Sequence, residues 1–149
     1  MKIEKIPVLS VRQPFAWALI FAGKPVENRT WYLRYRGPLF IHAGRAWHAC
    51  GPEGLEEWMR IPVPRKLDRG GIVGMVEVTD CVSSHPSLWF EGPWGIVCER
   101  PLPLPFIPCP GALGLFKVPE RLRERVAAEV QQARRRREVV LSGQGVRHG

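Results

Sequence analysis

The chain has 149 residues, 45% of them hydrophobic, which fits one domain that buries roughly two thirds of its unfolded surface without disulfide or metal staples. No apolar run reaches the ~18 residues of a membrane span; the longest, Phe15 to Ala22, has the length of a buried helix. The net charge of +8 comes from 17 Arg and 5 Lys against 14 acidic residues, a balance that favours an anionic partner, nucleic acid first, although a solvated basic surface gives the same number.

The first residues, Met1 to Lys5, have no apolar segment or small-residue cleavage site behind them, so no signal peptide is expected and a cytoplasmic location is. The cysteines at 50, 81, 98 and 109 form no CxxC pair and no zinc spacing with a histidine. No metal and no cofactor is expected. Cys81 and Cys98 lie in apolar runs and read as small buried hydrophobes.

In chain order, Val8 to Val11 reads as a strand, and Pro14 suits the first turn of a helix running to Ala22 and stopping at Gly23. Val26 to Tyr32 is a strand, Tyr35 to Pro38 a turn and Leu39 to Ala43 another strand. Residues 45–60 are helical with a break near Gly51-Pro52, and 61–71 form a loop. Ile72 to Val82 is a long strand with a bulge or kink at Gly74. Trp94 to Glu99 and Ala112 to Val118 are two more strands, and the prolines at 101, 103 and 105 make the stretch between them an extended connector that pairs poorly. Pro119 opens a last helix to about residue 140, with an apolar stripe of Leu122, Val126, Val130 and Ala133, followed by a disordered tail from Ser142. The expectation is an α+β fold: a small β-barrel of about six strands with short helices and a C-terminal helix.

Two regions divide the charge. Residues 1–118 hold 14 basic and 10 acidic residues, and residues 119–149 hold 8 and 4, so each part carries +4. The run Arg134 to Arg137 is either a solvated helix end or a sequence-independent phosphate contact.

The polar residues that invite chemistry cluster around the first helix. Glu27 and Arg29, two apart on a strand, point to one face, and Lys24 enters from the helix end. Ser10, Arg12 and Gln13 lie at the junction of the first strand and the helix. Such a set is either a self-satisfied ion-pair network or an anion site with a net positive charge. Trp31, His42, Trp47 and Trp94 supply flat rings that could stack on a base, though a tryptophan is more often core. His42 on a strand is an acid–base candidate or a satisfied structural residue. No Ser–His–Asp, GxSxG or metal pattern appears.

Three runs, Leu9-Ser10-Val11-Arg12-Gln13-Pro14-Phe15-Ala16-Trp17, Lys24-Pro25-Val26-Glu27-Asn28-Arg29-Thr30-Trp31 and Tyr35-Arg36-Gly37-Pro38-Leu39-Phe40-Ile41-His42-Ala43, resemble the ASCH domain (activating signal cointegrator homology). Gly71 to Val78 and Gly111 to Phe116 resemble its later strands, so the likeness covers about residues 8–118, leaving 119–149 as a basic helix and tail. The resemblance implies a PUA-like barrel with a cleft beside the first helix. It also implies binding of RNA or a modified nucleotide; together with the residues singled out above, the expected contact set is Arg12, Gln13, Lys24, Glu27, Arg29, Trp31, His42 and Trp94. The family pattern Gly-x-Lys-x-x-Glu-x-Arg is met by Lys24, Glu27 and Arg29, with the glycine one place late at Gly23.

The alternative is a hydrolase of RNA or of a modified nucleoside such as acetylated cytidine, with Lys24, Glu27 and His42 as catalytic candidates. Short relatives of that kind carry a threonine three after the lysine, where this chain has Glu27. Thr30, the nearest hydroxyl, faces the other side of the strand. A third reading makes the Pro-rich stretch 101–110 a docking segment for another protein.

Overall fold

A computed structural model describes residues 2–147. Six strands form one curled sheet: β1 (Pro7–Val11), β2 (Val26–Arg29), β3 (Gly37–Ala43), β4 (Gly71–Val82), β5 (Trp94–Pro108) and β6 (Leu115–Lys117). Their order is β2-β5-β4-β3-β1-β6, with β1 parallel to β3 and the other pairs antiparallel. The ends of this order do not meet, so the small barrel is a half-barrel open between β2 and β6. Helix α1 (Phe15–Phe21) follows β1, α2 (Gly51–Met59) follows β3, and α3 (Arg123–Arg147) follows a 3-10 turn at Glu120–Leu122.

The sheet is buried on both faces, and the two-residue period of the strands decides which side chain goes where. Val8 and Phe40 face one way, into a cluster with Ile3, Ile6, Ile107, Val118, Leu122, Val126, Val130 and Ala133. The predicted stripe of α3 is therefore buried as expected. Leu9, Leu39 and Ile41 face the other way, against Ala16, Leu19 and Ile20 of α1. A third cluster joins Ala18 and Val26 to Leu55, Val63 and Trp89 beneath α2.

Gly74 is a bulge as expected: the β4–β5 register shifts between Ile72 and Gly74. A Cβ there would stand 2.6 Å from Ile20 Cδ1 and 2.8 Å from the Leu102 carbonyl oxygen, so α1 and β5 both use the missing side chain.

Several expectations change, among them the strand expected over 112–118, of which only Leu115–Lys117 pairs, and the helix expected from residue 45, which starts at Gly51. Strand β2 ends at Arg29 rather than Tyr32. The stretch with Pro101, Pro103 and Pro105 is a paired strand, with Leu102 opposite Met75 and Pro103 opposite Gly74. Its prolines alternate, so their missing N–H groups share one lateral side. Leu102 turns its carbonyl towards β4, whereas the Pro101 carbonyl turns away and accepts from Arg137. Because β2 pairs only with Trp94 to Val97, that other side has no strand beside it and loses no ladder bond. Finally, α3 continues through Ser142 to Arg147 where a disordered tail was expected; the rest of that tail, residues 148–149, lies outside the described residues.

Since α3 and β1 bury the same cluster, a chain ending at Val118 is expected to lose its cooperative thermal transition. Phe40→Ala in the full chain should cost about 3–5 kcal/mol. A cooperative melt of the truncated chain, followed by far-ultraviolet circular dichroism, would make residues 119–149 a separate appendage.

Candidate functional site

The positions of the site follow from how α1 begins and ends. Gln13 is buried, and its Oε1 accepts the Trp17 N–H at 2.8 Å while its Nε2 donates to the Asp68 carbonyl at 3.0 Å. Its main-chain carbonyl accepts the His48 N–H at 2.8 Å. Gln13 thus ties the helix start to loops 44–48 and 68–70, with every side-chain polar atom turned inward. At the other end Gly23 takes φ +68°, and the Lys24 N–H folds back onto the Ala18 carbonyl at 3.1 Å. The glycine that stands one place late in the family pattern is the residue that makes this left-handed turn.

The turn sends Lys24 to Glu27. Lys24 Nζ lies 2.7 Å from Glu27 Oε1, and both residues are buried. Arg29, on the same face of β2, donates to Glu27 Oε2 from Nη2 at 2.9 Å and from Nε at 3.2 Å. The same Nη2 reaches the Ser10 carbonyl at 2.8 Å, which closes β2 onto β1 across the open side of the half-barrel. Burial pushes the Glu27 carboxyl up, but the Lys24 ammonium and the Arg29 guanidinium together hold it below the ordinary carboxylate range.

Two adjoining hollows flank this network. The larger is a cleft of about 680 Å³ lined by Ser10, Arg12, Arg29, Thr30, Trp31 and Arg45, with loop residues 112–114 on its rim. Arg12 and Arg45 are exposed and form no ion pair among the described residues. The smaller is a recess of about 290 Å³ lined by Lys24, Cys50, Trp58, Trp89 and Glu91. Phe15, Glu27, Asn28 and His48 border both. Lys24 Nζ sits 4.4 Å from the centre of the Phe15 ring, with the Trp89 ring 6.0 Å away. Asn28 builds the far wall. Its Nδ2 donates to the Trp89 carbonyl at 2.9 Å, and its Oδ1 accepts the N–H groups of Glu91 and Gly92.

The structure brings together Arg12, Lys24, Glu27, Arg29 and Trp31. Trp94 stacks edge-on against Tyr32 at 5.1 Å and joins the second hydrophobic cluster, and it lines neither hollow. Trp47 lies under the Arg69 guanidinium at 4.8 Å beside a separate shallow pocket. His42 is buried with both ring nitrogens engaged: Nδ1 is 2.8 Å from Ser10 Oγ and Nε2 is 2.7 Å from the Cys109 carbonyl oxygen. Sequence reasoning missed Phe15, Asn28, Arg45, His48, Trp58 and Trp89. Asn28 alone carried a signal, as an asparagine in a strand, where that residue is depleted.

Among the described residues no three His, Cys, Asp or Glu side chains gather as a metal site. The four cysteines are free thiols, and burial raises Cys98 to about 12. No described helix is long and apolar enough to cross a membrane.

Residues 9–135 match the sequence model of the ASCH domain. The chain belongs to the ASCH domain family. The match runs into α3. A curated relative is human activating signal cointegrator 1, 28% identical over 110 residues. That alignment covers 62% of this chain and 19% of the human protein, so the chain corresponds to less than a fifth of its relative's length.

Glu27→Ala should be the most damaging single change in the network, because it strands two cations: about 3–5 kcal/mol by thermal melting. Acid should act in two stages. His42, lowered by burial, contributes stability that is complete above its unfolded value near 6.5 and is lost as the pH falls. Glu27, also lowered, contributes stability complete above about 4.5 and lost below it. Melting temperature should therefore be level between about pH 7 and 8, decline first below 6.5 and again below 4.5. His42→Gln should remove the first stage.

Proposed function

We propose that the ASCH cleft binds single-stranded RNA or a modified nucleotide, with one base in the recess and the phosphates in the larger cleft. The observation that carries this reading is the position of Lys24. Its buried ammonium uses one hydrogen bond on Glu27 and faces an aromatic recess that opens onto an arginine-lined cleft. An ammonium has three donors, so Lys24 has protons left for a base carbonyl or ring nitrogen. Trp58 and Phe15 offer ring faces for stacking, which requires an unpaired base. Arg12, Arg29 and Arg45 present guanidinium groups for phosphate oxygens. The two hollows fall near and within the roughly 300–1,000 Å³ of ordinary ligand sites.

Glu27 acts here as an orienting group. Both of its oxygens accept from cations, so it is a poor base for attack on an acylated cytidine. Gln13 and Trp94 support the site from behind rather than touching the ligand.

Titration with short single-stranded RNA and with cytidine monophosphate tests this. Trp58→Ala, a half-exposed position, should weaken base binding by about 1–3 kcal/mol with little change in melting. For RNA, log K should fall linearly with log salt by roughly 0.7 per phosphate contact, and Arg12→Gln or Arg45→Gln should each reduce that slope. Replacing the exposed Arg134 to Arg136 with Gln measures whether α3 adds contacts of its own. Binding that ignores salt and survives Trp58→Ala would end the nucleic-acid reading of the cleft.

A further inference from the structure

Ser10 and His42 stand opposite each other in the parallel register of β1 and β3. Ser10 Oγ lies 2.8 Å from His42 Nδ1, and His42 Nε2 lies 2.7 Å from the Cys109 carbonyl oxygen. A carbonyl oxygen only accepts, so Nε2 carries the ring proton and Nδ1 presents its lone pair. The serine hydroxyl must then be the donor, which is the polarity a general base needs. Burial holds the His42 pKa below the ordinary histidine value, so the imidazole is neutral at pH 7. Ser10 is half-buried and lines the large cleft. A Cβ on Gly111 would stand 3.0 Å from Ser10 Oγ and 2.9 Å from His42 Cε1, so the glycine keeps a side chain off the pair.

We propose that Ser10 is a nucleophile activated by His42, and that it cleaves an ester or amide acyl group on a ligand held in the cleft. Ser10 Oγ attacks the acyl carbonyl carbon while its proton passes to His42 Nδ1. The tetrahedral adduct collapses, the bond to the leaving oxygen or nitrogen breaks, and that atom takes the proton from Nδ1. Water then attacks the acyl-serine ester and gives a proton to Nδ1, which returns it to Oγ as the carboxylic acid leaves. Water is the only co-reactant. The Cys109 carbonyl holds the ring and stabilises the imidazolium, as a carboxylate does in a serine triad. The Arg29 guanidinium donates to the main-chain carbonyl of Ser10 itself, which puts positive charge beside the reacting centre. This activity is separate from the nucleotide reading, since it needs only the pair and an acyl group in the cleft.

The test is covalent labelling of the full chain with a fluorophosphonate probe, located by peptide mass spectrometry, together with hydrolysis of p-nitrophenyl acetate. Wild type should gain one label on Ser10, and Ser10→Ala should gain none and lose the esterase signal. His42→Gln should label at least about 100-fold more slowly, the usual weight of a general base. Because His42 is buried, Ser10→Cys provides a second measure. Its thiol should react with iodoacetamide faster than the chain's four native cysteines. An unlabelled Ser10 in folded wild type, or equal labelling in a folded His42→Gln, would overturn the proposal and leave the pair as a hydrogen-bond chain joining β1, β3 and Cys109. The label reports on the pair alone, so its failure would not touch the salt titration of RNA.

Discussion

One carboxylate, buried between two cations, organises the open side of this half-barrel. Glu27 meets Lys24 through one oxygen and Arg29 through the other. Burying any one of these charges alone would be costly, and the three together satisfy one another. Their bonds also set the backbone. Lys24 ties the end of α1 to β2, and Arg29 carries on to the Ser10 carbonyl of β1. β2 stands at one end of the strand order and β1 one strand in from the other, and they share no ladder, so this side-chain link joins them where no strand pairing does. The cleft and recess are what remain on either side of it.

The network divides the site by role. Lys24 and Glu27 are buried and belong to the scaffold as much as to the site, whereas Arg12 and Arg45 are exposed and form no ion pair among the described residues. Arg29 is intermediate in both senses, bonded on one side and open to the cleft on the other. A change at Lys24 therefore alters stability and the ligand surface at once, while a change at Trp58 or Arg45 isolates the surface.

Local periodicity made much of this legible in the sequence. The two-residue period put Glu27 and Arg29 on one face, and the helix-ending Gly23 delivered Lys24 to them. The stripe of α3 followed from its spacing. What stayed hidden was the work of distant partners. The recess wall is set by Asn28 reaching residues 89–92, more than 60 positions away, and the Ser10–His42 pair spans 32. The six tryptophans could not be sorted by type alone: Trp58 and Trp89 border the recess, while Trp94 and Trp47 pack elsewhere. The prolines of β5 read as an extended connector that pairs poorly, because their harm depends on whether a neighbour needs the missing N–H, which only the topology decides.

Those prolines also bear on the open edges of the sheet. A half-barrel has exposed strand edges, and an exposed edge is a template for pairing with another chain. Here the terminal strands are only four and three residues long. The long unpaired flank of β5 has no N–H at residues 101, 103 and 105 to donate to an incoming strand. The sheet can therefore remain unclosed, keeping a ligand-sized mouth, without inviting a second copy to complete it.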